Sequence, residues 1–165
     1  MFILRDVIET IKIFFIALFI SIIIYPLLHE LGHSVIAILL GKKILEIRLF
    51  PLPNIMYISN STGYIENLLI GFGGMLLPII VSMNIRTKRF WIWYSNFILK
   101  SICLMSLIIS TLAIIFHKRR VFLQDDMRIV LGLGDLGKIL CLIIIICMGI
   151  ILSLNIYREI HKITT

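Results

Sequence analysis

Long apolar stretches alternate with short polar segments along the whole chain. The apolar stretches cover residues 13–40, 67–83, 90–116 and 129–157. Each is long enough for a helix to cross the hydrocarbon core of a bilayer, which takes about 17–25 residues. We therefore predict an all-α membrane protein with about four transmembrane helices, which together form a single domain over residues 1–165.

The first apolar stretch is too long for one straight span. As a single helix it would measure about 43 Å, whereas the hydrocarbon core is about 30 Å thick. Pro26 lies inside it, and a proline within a helix removes one backbone hydrogen bond and predicts a kink. Gly41 is a suitable C-terminal stop, and Lys42 and Lys43 suit the negative end of the helix dipole.

The segment between the first and second spans has a different pattern. Over residues 45–49, apolar side chains alternate with charged ones, which is the periodicity of a strand. Residues 51–54 form a turn signal, residues 55–58 fit a second strand, and Tyr64–Ile65 fit the start of a third. We predict a small β ribbon at the membrane surface over residues 44–65, with an irregular loop as the alternative.

Composition supports the membrane assignment. Of the 165 residues, 60% are hydrophobic and 15% are charged, whereas soluble domains are nearer one half and one quarter. The formal net charge of +7 does not indicate nucleic-acid binding, because the basic residues form short clusters between apolar stretches. Such clusters are typical of membrane-surface anchors that face anionic lipid. We expect a multi-pass protein of the cell membrane, with the lipid bilayer and not nucleic acid as its partner.

A few polar side chains lie inside the apolar stretches. Cys103, Cys141 and Cys147 form no C-x-x-C pair, and we interpret them as reduced thiols that act as small core residues. Lys100 lies inside the third span. Its side chain either extends to the membrane surface or faces the interior of the helical bundle near the functional site.

The sequence His29-Glu30-Leu31-Gly32-His33 lies within the first apolar stretch. Residues four apart share one face of a helix, so the two imidazoles can bind the same tetrahedral metal ion, with Glu30 beside them as a base. The alternative is a pair of hydrogen-bonded histidines in a membrane helix. The metal site is favoured, because each ionisable group at bilayer depth costs about 2.5–3.5 kcal/mol and three of them need a shared partner.

A catalytic zinc ion usually has three protein ligands, so a third must come from elsewhere in the chain. His117, Asp125 and Asp126 lie together before the fourth span, and Asp135 lies further along. The Asp125–Asp126 pair stands out, because adjacent carboxylates repel each other unless a cation neutralises them. The other acidic residues are interpreted as surface charges: Asp6, Glu9, Glu46, Glu66 and Glu159.

The chain resembles the site-2 protease family of intramembrane zinc metallopeptidases, in its short and compact branch. The resemblance rests on the His29–His33 motif, the β ribbon, a span with Gly73-Gly74 and Pro78, and an aspartate before a late span. It covers roughly residues 11–154, and its His-Glu-Leu-Gly-His portion is specific.

This resemblance implies an intramembrane metalloprotease that uses Zn²⁺ and acts on membrane protein or peptide substrates. His29 and His33 would be ligands and Glu30 the general base. Aligning the family's aspartate motif puts the third ligand at Asp125, with Asp126 as the alternative, followed by His117 or Asp135. A catalytically inactive membrane metal-binding or scaffold protein with the same fold is the alternative function.

Overall fold

The structure is a computed structural model that describes residues 2–48, 54–57, 63–116, 130 and 132–164. Its elements are α1 (Phe2–Phe19), α2 (Tyr25–Leu39), β1 (Ile44–Arg48), β2 (Asn54–Tyr57), α3 (Tyr64–Asn84), α4 (Phe90–Ile115) and α5 (Asp135–Thr164). Four helical stretches are long and apolar enough to cross a membrane: Asp6–Leu39, Ile65–Asn84, Phe90–Ile115 and Asp135–His161. The prediction of a mostly helical chain with four such helices is confirmed.

A π-helical segment, Ile20–Ile24, joins α1 to α2 without a break. Pro26 follows at the start of α2, and its ring would crowd the carbonyl group four residues earlier in a regular α-helix. In the π-helical segment the Tyr25 N–H donates to the Ile20 carbonyl oxygen, which widens the backbone just before the proline. The irregularity predicted at Pro26 therefore lies on its N-terminal side.

Helix α2 ends at a glycine in the left-handed conformation, as many helices do. Gly41 has a φ of 72°, which is unstrained only for residues without a Cβ. Its N–H donates to the Ile38 carbonyl oxygen at 2.9 Å, and the Lys42 N–H donates to the Ala37 carbonyl oxygen at 2.9 Å. This pair of bonds is a Schellman motif, and it confirms the predicted stop at Gly41.

Between α2 and α3 the chain forms two short strands that pair antiparallel. Ile44 lies opposite Tyr57 and Arg48 opposite Asn54, with an irregularity in register between Ile44 and Glu46. The prediction of a third strand at residues 64–65 is wrong, because α3 already begins at Tyr64. Glu66 lies in the first turn of this helix, where a carboxylate is stabilised by the positive end of the helix dipole.

From α2 to α5 the helices pack in chain order, whereas α1 and the π-helical segment also contact α4. Helix α3 lies between α2 and α4, and α4 lies between α3 and α5. Helix α3 is the most enclosed span, whereas only a narrow face of α5 is buried, against α4. The buried apolar side chains form one cluster, which consists of Ile20, Phe72, Met75, Ile79, Leu99, Cys103, Leu107, Ile114, Val130, Cys141, Ile145 and Leu152.

The contact between α2 and α3 is the most extensive one among the described helices and depends on two glycines. A Cβ atom added to Gly32 would lie 2.1 Å from the Gly73 carbonyl oxygen, and one added to Gly73 would lie 2.5 Å from the Gly32 carbonyl oxygen. Both distances are far inside van der Waals contact, so the two backbones touch directly. Small residues at such crossings are characteristic of packing between membrane helices.

Lys100 faces the interior of the bundle. Its side chain is 0% exposed, and its ammonium group donates to Asn155 Oδ1 at 2.7 Å and to Glu159 Oε1. Of the two predicted alternatives, extension to the membrane surface is therefore wrong. The prediction of Glu159 as a plain surface charge is also wrong, because its side chain is only 24% exposed and is paired with Lys100.

We predict that Gly32→Ala lowers the stability of the protein by about 1–3 kcal/mol, because the added methyl group forces α2 and α3 apart. Thermal unfolding in detergent measures this loss. Gly149→Ala in α5 is the matched control, because a Cβ there meets no atom within 4 Å. Since alanine is the better helix former by about 0.5–1 kcal/mol, the control should be neutral or stabilising. Equal unfolding temperatures for Gly32→Ala and the parent would contradict the close contact.

Candidate metal centre

Helix α2 brings the two histidines of the motif together on one face. The Nε2 atoms of His29 and His33 lie 3.1 Å apart, and the two rings are perpendicular, with centroids 4.7 Å apart. Glu30 contributes a carboxylate oxygen to the same group: one potential ligand atom from each of the three residues lies within 4.8 Å of the other two. All three side chains are partly buried.

The spacing of these atoms fits a zinc ion. Two nitrogens bound to one tetrahedral Zn²⁺ at 2.0–2.1 Å must lie about 3.3 Å apart, close to the 3.1 Å between the two Nε2 atoms. The same 3.1 Å also fits a hydrogen bond between the two imidazoles, which is the alternative given by the sequence. Imidazole nitrogens favour zinc and related transition metals, whereas Mg²⁺ and Ca²⁺ favour oxygen ligands. The 4.8 Å limit on the Glu30 oxygen leaves room for this carboxylate either to bind the ion or to contact a water molecule beside it.

Helix α3 determines which nitrogen of His33 is available. His33 Nδ1 lies 2.7 Å from the carbonyl oxygen of Ile70. A carbonyl oxygen can only accept a hydrogen bond, so Nδ1 carries the proton and donates it. In the neutral ring, Nε2 then carries the lone pair that a metal ion needs. The hydrogen bond also fixes the plane of the ring, and it holds Nε2 towards His29.

Gly74 of α3 forms the wall beside both imidazoles. A Cβ atom at this position would lie 2.5 Å from Cε1 and Nε2 of His33 and 2.8 Å from Cε1 of His29. Any other residue would therefore displace the rings. Pro78, four residues on, has no N–H and leaves the Gly74 carbonyl oxygen without its usual helical donor. The sequence indicated that glycines here permit a close approach, but not that the neighbours would be the histidines.

Two further residues at the site were not predicted. The ring of Tyr25 lies 5.9 Å from that of His29, one helical turn earlier on the same face, and a search for i−4 neighbours of the motif would have found it. Ile70 acts through its backbone carbonyl group, which no side-chain motif can reveal. Ser110 Oγ of α4 lies 3.8 Å from Met75 Sδ, so α4 packs against the helix turn that carries Gly74.

The described acidic residues outside the motif do not join the group. Asp135 is 96% exposed and lies 3.7 Å from Lys138, so this candidate for the third ligand is not brought to the histidines. Glu66 pairs with Lys42 at 2.6 Å. Glu46 accepts a hydrogen bond from Arg48 at 2.6 Å, and this bond lowers the pKa of its carboxyl group. Both residues are thus engaged by cations near the end of α2.

The remaining candidates for the third ligand are His117, Asp125 and Asp126, and all three lie outside the described residues. Their assignment stays a prediction of the sequence. Among the described residues, the one group able to hold a metal ion is therefore His29, Glu30 and His33.

No protein-family model, no curated protein and no solved structure matches this chain. What the molecule does is therefore inferred from the arrangement of its own residues.

We predict that Gly74→Ala weakens zinc binding by about tenfold or more, because the new methyl group displaces both imidazoles from a shared position. Titration with zinc against a competing chelator gives the affinity. Gly149→Ala again serves as the control, since it adds the same methyl group in open space. If Gly74→Ala and the parent protein bound zinc equally well, the arrangement of the rings against α3 would be wrong.

Proposed function

We propose that this protein is an intramembrane zinc metalloprotease that hydrolyses peptide bonds of membrane-embedded or membrane-associated proteins. The observation that carries the proposal is the convergence of His29, Glu30 and His33, whose potential ligand atoms lie within 4.8 Å of one another. These residues belong to a stretch, Asp6–Leu39, that is long and apolar enough to cross a membrane. Ionisable groups at such depth are costly and are retained mainly where they have a function.

His29 and His33 would hold the zinc ion through their Nε2 atoms, and Asp125 would complete the set, with Asp126 as the alternative. When bound, zinc supplies Lewis acidity, which lets water attack a peptide carbonyl group near neutral pH. The Ile70 carbonyl oxygen keeps the proton of His33 on Nδ1. Gly74 leaves the space that both rings need.

Glu30 is placed to move the proton. It follows His29 directly, so it projects about 100° around the helix from that ligand, while its carboxylate stays within 4.8 Å of the imidazole nitrogens. In the reaction, the water oxygen bonds to the carbonyl carbon and its proton passes to Glu30. As the C–N bond breaks, Glu30 returns that proton to the leaving amine, so the carboxylate is regenerated.

The position of the site along α2 suits a substrate that comes from the membrane. His33 precedes Lys42 by nine residues, which corresponds to about 13 Å along a helix. Strands β1 and β2 lie just beyond the end of α2, and β2 contacts this helix. A helical substrate must be unwound before hydrolysis, because its backbone is fully hydrogen-bonded. A strand edge offers backbone partners to an extended segment, which is the role we assign to this pair.

We predict that the purified protein binds one zinc ion. His29→Ala and His33→Ala should each abolish stoichiometric binding, because each variant leaves only two of the three protein ligands. Elemental analysis of protein purified in detergent measures the metal. Single Asp125→Ala and Asp126→Ala variants identify the third ligand, and Asp135→Ala is the matched control because Asp135 is exposed. A parent protein without stoichiometric transition metal would refute the proposed site.

We predict that Glu30→Gln keeps its zinc and loses proteolysis, by about two orders of magnitude or more, because glutamine preserves shape but cannot accept the proton. Cleavage of a reconstituted membrane-protein substrate, measured beside zinc content, tests this role. Loss of zinc in this variant would make Glu30 a ligand. Zinc retention in the parent without cleavage of any membrane substrate would instead favour an inactive metal-binding or scaffold protein.

A further inference from the structure

Lys100 is the one charged residue that is fully buried among the described residues. It lies in the first half of α4, and its partners Asn155 and Glu159 both belong to α5. Asn155 and Glu159 are four residues apart, so they share one face of α5. We refer to these three residues as the Lys100 cluster. It joins two spans whose positions in the sequence are more than fifty residues apart.

The rest of the contact between α4 and α5 is apolar and incompletely packed. Buried Ile145 and Leu152 of α5 offer only non-directional contacts, which hold helices together but tolerate a shift along the axis. Beyond the Lys100 cluster, a groove of about 440 Å³ opens between the helices, lined among others by Leu107, Thr111 and Gly149. The groove therefore reduces the apolar packing that could hold α5 in one register.

We propose that the Lys100 cluster selects this register and thereby fixes the axial position at which α5 begins. A buried ammonium group must keep its partners, and only one alignment of α5 presents both Asn155 and Glu159 to it. A slip of one helical turn would move α5 by about 5.4 Å and would leave Lys100 with at most one of its two partners. Single polar or charged contacts in apolar interfaces have this effect on register in coiled coils.

This register matters for the candidate metal centre. Asp125 and Asp126 precede the start of α5 at Asp135 by about ten residues. A helix held in one axial position therefore limits where these carboxylates can reach. Lys100, Asn155 and Glu159 are thus positioning residues for the third zinc ligand. This part of the inference rests on the proposed function, whereas the role of the cluster in docking α5 does not.

The cysteines of α5 provide a probe of docking that is independent of zinc. Cys141 is buried and Cys147 is exposed, and both are free thiols. In detergent, Lys100→Met and Glu159→Gln should each raise the rate at which N-ethylmaleimide modifies Cys141 by about tenfold or more, because one partner of a buried pair remains unpaired. The rate at Cys147 should stay the same, since it is already exposed. Peptide mass spectrometry resolves the two thiols.

The double variant Lys100→Met/Glu159→Leu should restore protection of Cys141, because it removes both charges and leaves an apolar contact. Lys138→Met is the matched control: Lys138 lies on the same helix and its partner among the described residues is exposed Asp135, so Cys141 should stay protected. Single variants that protect Cys141 as well as the parent would overturn the inference. The single variants could fail to fold. In that case a double variant that also fails to fold would overturn the inference, because an unpaired buried charge would then not be the cause of the failure.

Zinc affinity tests the positioning role with the same proteins. Each single variant should bind zinc about tenfold more weakly, as for other residues that support metal ligands, and the double variant should recover. Unchanged affinity in variants with a reactive Cys141 would show that α5 docking does not position a ligand. A parent protein that binds no zinc would refute the proposed function, and the thiol rates would still decide whether the Lys100 cluster docks α5.

Discussion

Backbone atoms of α2 and α3 touch at Gly32 and Gly73, where neither helix has room for a methyl group. The orientation of the histidines at the candidate site follows from this contact. Because the helices cross so closely, the Ile70 carbonyl oxygen reaches His33 Nδ1 at 2.7 Å, and Gly74 lies against both imidazoles. The helix that carries the histidines therefore sets their spacing, and the neighbouring helix sets their orientation and the tautomer of His33.

Local periodicity made part of this site predictable. The spacing of His29 and His33 fixes their shared face wherever the chain is helical, and the length of the apolar stretches predicts the four spans. The strand pattern was less reliable: it extended to Tyr64 and Ile65, which belong to α3. Over two residues the alternation of a strand cannot be distinguished from the start of a helix, and Glu66 at the positive end of the dipole favours the helix.

Contacts between distant parts of the chain could not be predicted in this way. From the sequence, the direction of the Lys100 side chain stayed open and Glu159 was interpreted as a surface charge. The residues adjacent to each of them in the sequence do not indicate a partner more than fifty positions away. Lys42 and Glu66 show the same limit, because they form a 2.6 Å ion pair although they are 24 positions apart in the sequence. That pair joins the C-terminal end of α2 to the N-terminal end of α3, so each charge also faces the helix end that stabilises it.

The π-helical segment at Ile20–Ile24 has a consequence for the direction in which the histidines point. A π turn holds one residue more than an α turn, so everything beyond it is rotated by about 100° relative to the preceding helix. Helix α1 can thus turn an apolar face to lipid while α2 turns a polar one to α3. The number of residues in this segment, more than their identity, sets that phase. Exchanging one isoleucine for another aliphatic residue would leave it intact, whereas losing a single residue would aim the imidazoles away from α3.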